Sequence, residues 1–125
     1  MDKMYQHSFE KLNVWQEALD LIERIYQETK AYPEDEKFGL VSQMRRASIS
    51  ICSNIAEGTS RISTKDRSHF LTMAFGSTME LLSQIIISNK LHFLKNDVYL
   101  ELRELTMKVS NMINSLKKSL NKNTN

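Results

Sequence analysis

Apolar residues recur at every third or fourth position along most of this chain, which is the spacing of one face of an α-helix. The longest such stripe lies near the C-terminus and is close to heptad spacing. It consists of Val98, Leu102, Leu105, Val109, Met112, Leu116 and Leu120. Three glycines and one proline in 125 residues are too few for the tight turns of a β-sandwich or barrel. The sequence therefore predicts an all-α protein.

Helix-start and helix-stop residues divide the chain into four segments. Asn13, with a glutamine three residues later, predicts a capping box at the start of the first helix, and Pro33 ends that helix. Gly58 is the expected C-terminal stop of the second helix, and Ser63 caps the third. The helices are predicted at about 13–31, 36–57, 64–91 and 97–120. Short connections favour antiparallel neighbours, so we expect one domain over residues 1–125, an antiparallel up-down-up-down four-helix bundle.

The second and third helices carry more apolar surface than one bundle core needs. Beside its core stripe, the second helix has a strip of serines bounded by charged residues, and small residues allow close approach of another helix. We therefore predict an oligomer interface at Arg46, Ile49, Ser50, Ser53, Glu57, Met73, Gly76, Glu80 and Ile87. Arg46 is expected to pair with Glu80 or Glu57, within or between subunits. The alternative is that this face contacts solvent.

The net charge is only +2, but it is unevenly distributed. Residues 9–36 carry a net −5, residues 37–69 a net +4 and residues 108–125 a net +4. This distribution suits an acidic partner or the association of opposite faces of two copies.

The segment from Gly58 to Arg67 joins two helices and combines hydroxyls, three bases and the free N–H groups of a helix N-terminus, which are groups that hold phosphate. The candidate nucleic-acid-binding residues are Arg45, Arg61, Lys65, Arg67, Lys117, Lys118 and Lys122. A solvated turn and a frayed terminus would give the same pattern. No base-reading module is recognisable, so any specificity is expected to be for shape.

Signals for catalysis or a cofactor are weak. Asp66 and His69 have the spacing of a bundle metal site but lack the matching carboxylates, so no metal and no cofactor are expected. Cys52 has no histidine near it in the sequence and is expected to be an inert thiol. A single cysteine fits a reducing compartment, the N-terminus lacks a signal-peptide stretch, and the apolar run at 81–87 is interrupted by serine and glutamine. We expect a cytoplasmic, non-enzymatic protein without a membrane partner.

Several blocks make the chain resemble a bacterial family of four-helix bundles. They are VWQEALDLIERIYQET, the blocks Gln43–Ala47 and Asn54–Gly58, and Gly76-Ser77 with Glu80-Leu81. The family is named for proteins encoded within intervening sequences of large-subunit ribosomal RNA genes, and it includes accessory proteins of diversity-generating retroelements. The resemblance implies a ring-like homopentamer, with RNA or DNA and a reverse transcriptase as candidate partners. Many members have proline where this chain has Cys52, so the kink that a proline causes is not implied here.

Two functions remain open at this stage. The first is a homo-oligomeric nucleic-acid-binding accessory protein that holds structured RNA or DNA by its phosphates. The alternative is a protein-docking scaffold that uses the apolar second faces of the second and third helices. The first requires the basic residues of the 58–67 segment and of the C-terminal tail to gather on one surface, whereas the second leaves them scattered.

Overall fold

The computed structural model describes residues 4–122, and four α-helices account for most of them. They are α1 (Asn13–Thr29), α2 (Ser42–Ser60), α3 (Thr64–Lys90) and α4 (Asn96–Lys122). Two 3₁₀ turns (Ser8–Lys11 and Glu34–Glu36) and a π-helical turn (Lys37–Val41) complete the order, with no strand anywhere in 4–122. α2 packs against α1 and α3, and α4 packs against α3 and α1. The predicted antiparallel four-helix bundle is confirmed.

The core is built from apolar residues of all four helices. Its largest fully buried apolar side chains are Leu21, Ile25, Met44, Ile51, Ile55, Leu81, Ile85, Leu102, Val109 and Ile113. Burial of each contributes about 1.5–3 kcal/mol of transfer free energy, which offsets the conformational entropy lost on folding. Buried hydroxyls bond to their own helices: Thr29 donates to the carbonyl of Ile25 at 2.6 Å, and Thr106 donates to that of Leu102 at 2.7 Å.

The predicted helix starts are right in one case and wrong in another. Ser63 is the N-cap of α3, and its Oγ accepts the N–H of Asp66 at 3.1 Å. The predicted capping box at Asn13 does not form, because Asn13 is already inside α1 and Leu12 is the N-cap. The side chain of Gln16 instead donates to the carbonyl of Glu10, 2.8 Å away in the preceding 3₁₀ turn.

The second helix starts later than predicted, because a wide turn precedes it. Residues 37–41 form a π-helical turn in which Gly39 has non-helical angles (φ −110°, ψ −109°). The carboxylate of Glu36 accepts the N–H of Leu40 at 3.3 Å and so caps this turn. Regular α2 geometry begins at Ser42.

Gly58 is not the stop of α2, so that prediction is wrong. The helix continues to Ser60, and Gly58 is buried within it. A Cβ on Gly58 would lie 3.0 Å from the Cβ of Phe70 and 3.3 Å from the carbonyl oxygen of Arg67, both on α3. The absence of a side chain therefore lets the start of α3 lie directly against the end of α2.

α3 runs without interruption for 27 residues, close to the predicted 64–91. By length and composition alone it is apolar enough to cross a membrane. This is weak evidence for a membrane helix, because the central helix of a bundle passes the same test. Here α3 packs along both α2 and α4.

The close approach at Gly58 generates a stability prediction. Gly58→Ala should lower the free energy of unfolding by about 1 kcal/mol or more, because overpacking against Phe70 and Arg67 outweighs the gain in helix propensity. Gly76→Ala is the matched control, since no heavy atom lies within 4 Å of the added Cβ. In a single chain it should stabilise the helix by about 0.5–1 kcal/mol, and both variants are compared on dilute, monomeric protein because Gly76 is also a predicted interface residue. Urea unfolding that ranks Gly58→Ala at or above wild type would contradict the packing role.

A second prediction concerns Cys52. Burial raises the pKa of its thiol to about 12, and its Sγ lies 3.9 Å from the carbonyl oxygen of Trp15. Since the thiolate is the reactive form, a thiol reagent at pH 8 should modify the folded protein at least about a hundredfold more slowly than the unfolded chain. Rapid modification of the native protein would show that this part of the bundle opens readily.

Candidate nucleic-acid interface

The alternating helix directions bring three separate segments to one end of the bundle. These are the 3₁₀ turn before α1, the turn between α2 and α3, and the last turns of α4. They meet around a small, mostly apolar cavity of about 250 Å³. Its lining residues are Ser8, Leu12, Gly58, Thr59, Arg67, Leu71, Leu116 and Leu120. We call this the basic end, after five predicted cations on these segments: Arg61, Lys65, Arg67, Lys117 and Lys118. The 3₁₀ turn adds Lys11 and the carboxylate of Glu10.

The turn between α2 and α3 (residues 61–63) is held by side-chain contacts on both sides. The guanidinium of Arg61 lies 4.6 Å from the ring centroid of Phe70 and 2.9 Å from the carboxylate of Glu57. Arg67 donates through Nε to the carbonyl oxygen of Arg61 at 2.7 Å. With the cap at Ser63, these contacts give the turn one defined shape. Arg61 and Arg67 therefore have structural roles as well as positive charge.

The lysines of the basic end are the more accessible cations. Lys65 and Lys118 are exposed and Lys117 is half-buried. None of the three forms an ion pair with another described residue. The side chain of Lys122, also predicted to bind nucleic acid, lies outside what the structure describes.

Two carboxylates close to these cations offset part of their positive charge. Glu57 is paired with Arg61. Asp66 lies in the first turn of α3, where the helix dipole favours a negative charge.

Arg45 does not join the basic end. It lies near the start of α2, roughly 24 Å along the helix from Arg61 at 1.5 Å per residue. Its guanidinium lies 4.5 Å from the ring centroid of Tyr26, donates to Thr29 Oγ1 at 3.1 Å and donates to the carbonyl of Tyr26 at 3.3 Å. The Arg45 side chain thus contacts the C-terminal end of α1 and links α2 to α1. Its predicted phosphate contact is separated from those of the other candidates.

The second group of predicted residues lies along the exposed side of α2 and α3. Arg46 pairs with Glu80 across the two helices of one chain, while Glu57 pairs with Arg61 instead. The pair is partly exposed, at 61% for the Arg46 side chain and 40% for Glu80. An exposed pair of this kind contributes about 0–1 kcal/mol in a single chain.

Ser50 faces α3 of its own chain. Its Oγ lies 2.9 Å from the Oγ of Ser77, and the amide of Asn54 donates to the carbonyl of Ser50 at 2.9 Å. The predicted interface did not include Ser77, which lies opposite Ser50 on α3, or Asn54, which lies one turn further along α2. The half-buried hydroxyl of Ser50 therefore already has partners within one subunit.

The remaining predicted interface residues stay exposed or half-exposed on the same side. Ile49, Met73 and Ile87 are 42%, 43% and 44% exposed, next to the open positions Ser53 and Gly76. We call this surface the α2–α3 face; it consists of Arg46, Ile49, Ser53, Met73, Gly76, Glu80 and Ile87.

Residues 4–122 contain no group of three or more His, Cys, Asp or Glu side chains that could hold a metal ion. Asp66 and His69 are both exposed on α3.

Comparison with known proteins places the chain in a family. A protein of unknown function from the S23 ribosomal protein family of Bacteroides thetaiotaomicron has a similar structure, with a TM-score of 0.77 and 20% sequence identity. The match covers 84% of this chain and 95% of that one, and at this identity it shows the fold alone. No curated protein matches the chain. The family model for 23S rRNA-intervening sequence proteins matches residues 10–115, which confirms the resemblance seen in the sequence motifs. The chain belongs to the 23S rRNA-intervening sequence protein family.

Proposed function

We propose that this protein is a non-enzymatic, homo-oligomeric accessory protein of the cytoplasm that holds structured RNA or DNA by its phosphates. The observation that carries the proposal is the basic end. Cations from the α2–α3 turn and from the last turns of α4, far apart in sequence, lie at the same end of the bundle.

The charge distribution along the bundle supports this proposal. The basic end carries Arg61, Lys65, Arg67 and two α4 lysines, whereas at the opposite end the acidic turn Glu34–Glu36 offsets exposed lysines such as Lys30, Lys90 and Lys95. A nucleic acid would therefore be drawn to the basic end more than to the opposite end. Each phosphate neutralised by a lysine or arginine releases counterions and adds salt-dependent affinity.

Homo-oligomerisation would strengthen such binding. A single basic end offers few phosphate contacts, but several copies held together would bind one nucleic acid at a high effective concentration. The α2–α3 face is the proposed contact between copies, because its three exposed apolar side chains flank a glycine at which a helix could approach closely. The family name also connects these proteins with an intervening sequence of 23S rRNA.

The same face supports the second candidate function, a protein-docking scaffold. Exposed Ile49, Met73 and Ile87 could receive another protein as well as a second copy. The lysines of the basic end distinguish the two functions, because nucleic-acid binding requires them and a pure docking scaffold does not.

We expect a triple variant, Lys65→Ala, Lys117→Ala and Lys118→Ala, to weaken nucleic-acid binding. Loss of three phosphate contacts should reduce the slope of log K against log salt by about two to three for a duplex. Fluorescence anisotropy with a labelled RNA hairpin and a matched DNA duplex, at several salt concentrations, measures this slope. These lysines are chosen over Arg61 and Arg67 because those arginines also hold the turn.

The matched control is the triple variant Lys30→Ala, Lys90→Ala and Lys95→Ala. It removes the same charge from exposed positions at the opposite end of the bundle. The proposal expects the control to keep the wild-type salt slope. Equal losses in both variants would mean that only net charge matters, and no binding by wild type at low salt would favour the docking scaffold.

The oligomer proposal predicts that Met73→Asp with Ile87→Asp dissociates the assembly. Two carboxylates on the α2–α3 face would be costly to bury between copies, while the exposed positions leave the subunit folded. Light scattering should give the mass of a single chain, and circular dichroism should be unchanged. Leu100→Asp, which changes a side chain that is 54% exposed on α4, is the control and should keep the wild-type mass. A wild-type mass for the double variant would rule out this face as the contact.

A further inference from the structure

The large apolar side chain of Ile62 is almost completely exposed to solvent. It is 96% exposed, at the middle of the three-residue turn between α2 and α3. It fills no part of the bundle core, so the fold gives no reason for an isoleucine at this position.

The turn presents Ile62 in a defined position. On one side, Arg61 is fixed by Glu57 and by the ring of Phe70. On the other side, Ser63 caps α3, and the bond from Arg67 Nε to the Arg61 carbonyl closes the turn. An exposed apolar side chain on a fixed turn is already in place to enter a partner, with little ordering cost on binding.

The charges around Ile62 indicate an anionic partner. Three cations (Arg61, Lys65 and Arg67) and two carboxylates (Glu57 and Asp66) lie within five residues of it, and the α4 lysines at the same end of the bundle leave positive charge in excess. The partner should therefore combine closely spaced negative charge with an apolar gap into which one aliphatic side chain fits. Nucleic acids have both features, since phosphates flank the space between neighbouring bases.

We propose that Ile62 is a wedge that inserts between bases where stacking is already interrupted, at a bulge or loop, while the cations of the basic end hold the flanking phosphates. This proposal rests on the proposed function and deepens it by naming the class of nucleic acid. Aliphatic side chains act as such wedges in architectural proteins, and the cost of opening a step is least where the base is unpaired. The protein should therefore prefer bulged to fully paired duplexes.

An anionic membrane surface is the other chemistry that suits an apolar tip among cations. A single isoleucine is a small anchor, since even a whole myristoyl chain gives only marginal, reversible membrane binding. The turn also offers one such side chain, not an apolar helix face. The small apolar binding energy of one isoleucine therefore favours a gap between bases over a lipid bilayer as its site.

The test compares two RNA hairpins that differ only in one unpaired 2-aminopurine nucleotide. Wild type should bind the bulged hairpin about tenfold more tightly, the gain expected when one aliphatic side chain leaves water. Binding should also change the 2-aminopurine fluorescence. Ile62→Ser should lose both the preference and the fluorescence change while keeping its affinity for the paired hairpin. Phe38→Ser is the control, because Phe38 is 89% exposed in the turn at the opposite end, and it should behave as wild type.

The outcomes separate the wedge from the phosphate-binding function. If wild type binds neither hairpin, both proposals fail. If wild type binds both equally, or Ile62→Ser keeps the preference, the wedge is wrong and phosphate binding stands. Vesicles of phosphatidylcholine and phosphatidylserine form the third arm. Ile62-dependent binding to them without a preference for the bulge would overturn the wedge in favour of a membrane surface.

Discussion

The antiparallel contact between α2 and α3 is the interaction on which the other features of this protein depend. Gly58 lets the two helices meet near the turn, where a side chain would strike Phe70. Further along, the helices are joined by the hydroxyls of Ser50 and Ser77 and then by the ion pair of Arg46 and Glu80. Because the helices are held along their length, the three-residue turn between them has little freedom. That constraint gives the basic end its shape.

The same pairing determines how charge is distributed over the molecule. Antiparallel helices place the end of α2, the start of α3 and the end of α4 together, so the basic segments of the sequence become neighbours. The acidic turn Glu34–Glu36 goes to the opposite end. A chain with a net charge of only +2 thus gathers cations from two distant segments at one end of the bundle. The proposed phosphate binding uses this end, and the α2–α3 face is the proposed contact through which several copies would combine their basic ends.

Most of the fold could be predicted because helix periodicity is a local property. The spacing of apolar residues located four helices, and Ser63 marked the start of α3. The errors fell where a local signal depends on its surroundings. Asn13 has the chemistry of a cap, but the preceding 3₁₀ turn placed the cap at Leu12. Gly58 has the chemistry of a helix stop, but it lies inside α2, where α3 packs so closely that a side chain would not fit.

The sequence by itself determined the helices, their polar and apolar sides, the family and the identity of the candidate cations. Tertiary structure alone decided which of these candidate cations lie at the same end of the bundle. It placed Arg61, Lys65 and Arg67 near the α4 lysines but directed Arg45 onto Tyr26 at the other end. It also turned Ser50 toward Ser77 and left Ile62 exposed. The reason is physical: periodicity fixes the side of a helix on which a residue lies, whereas the neighbour on that side depends on packing between residues distant in sequence.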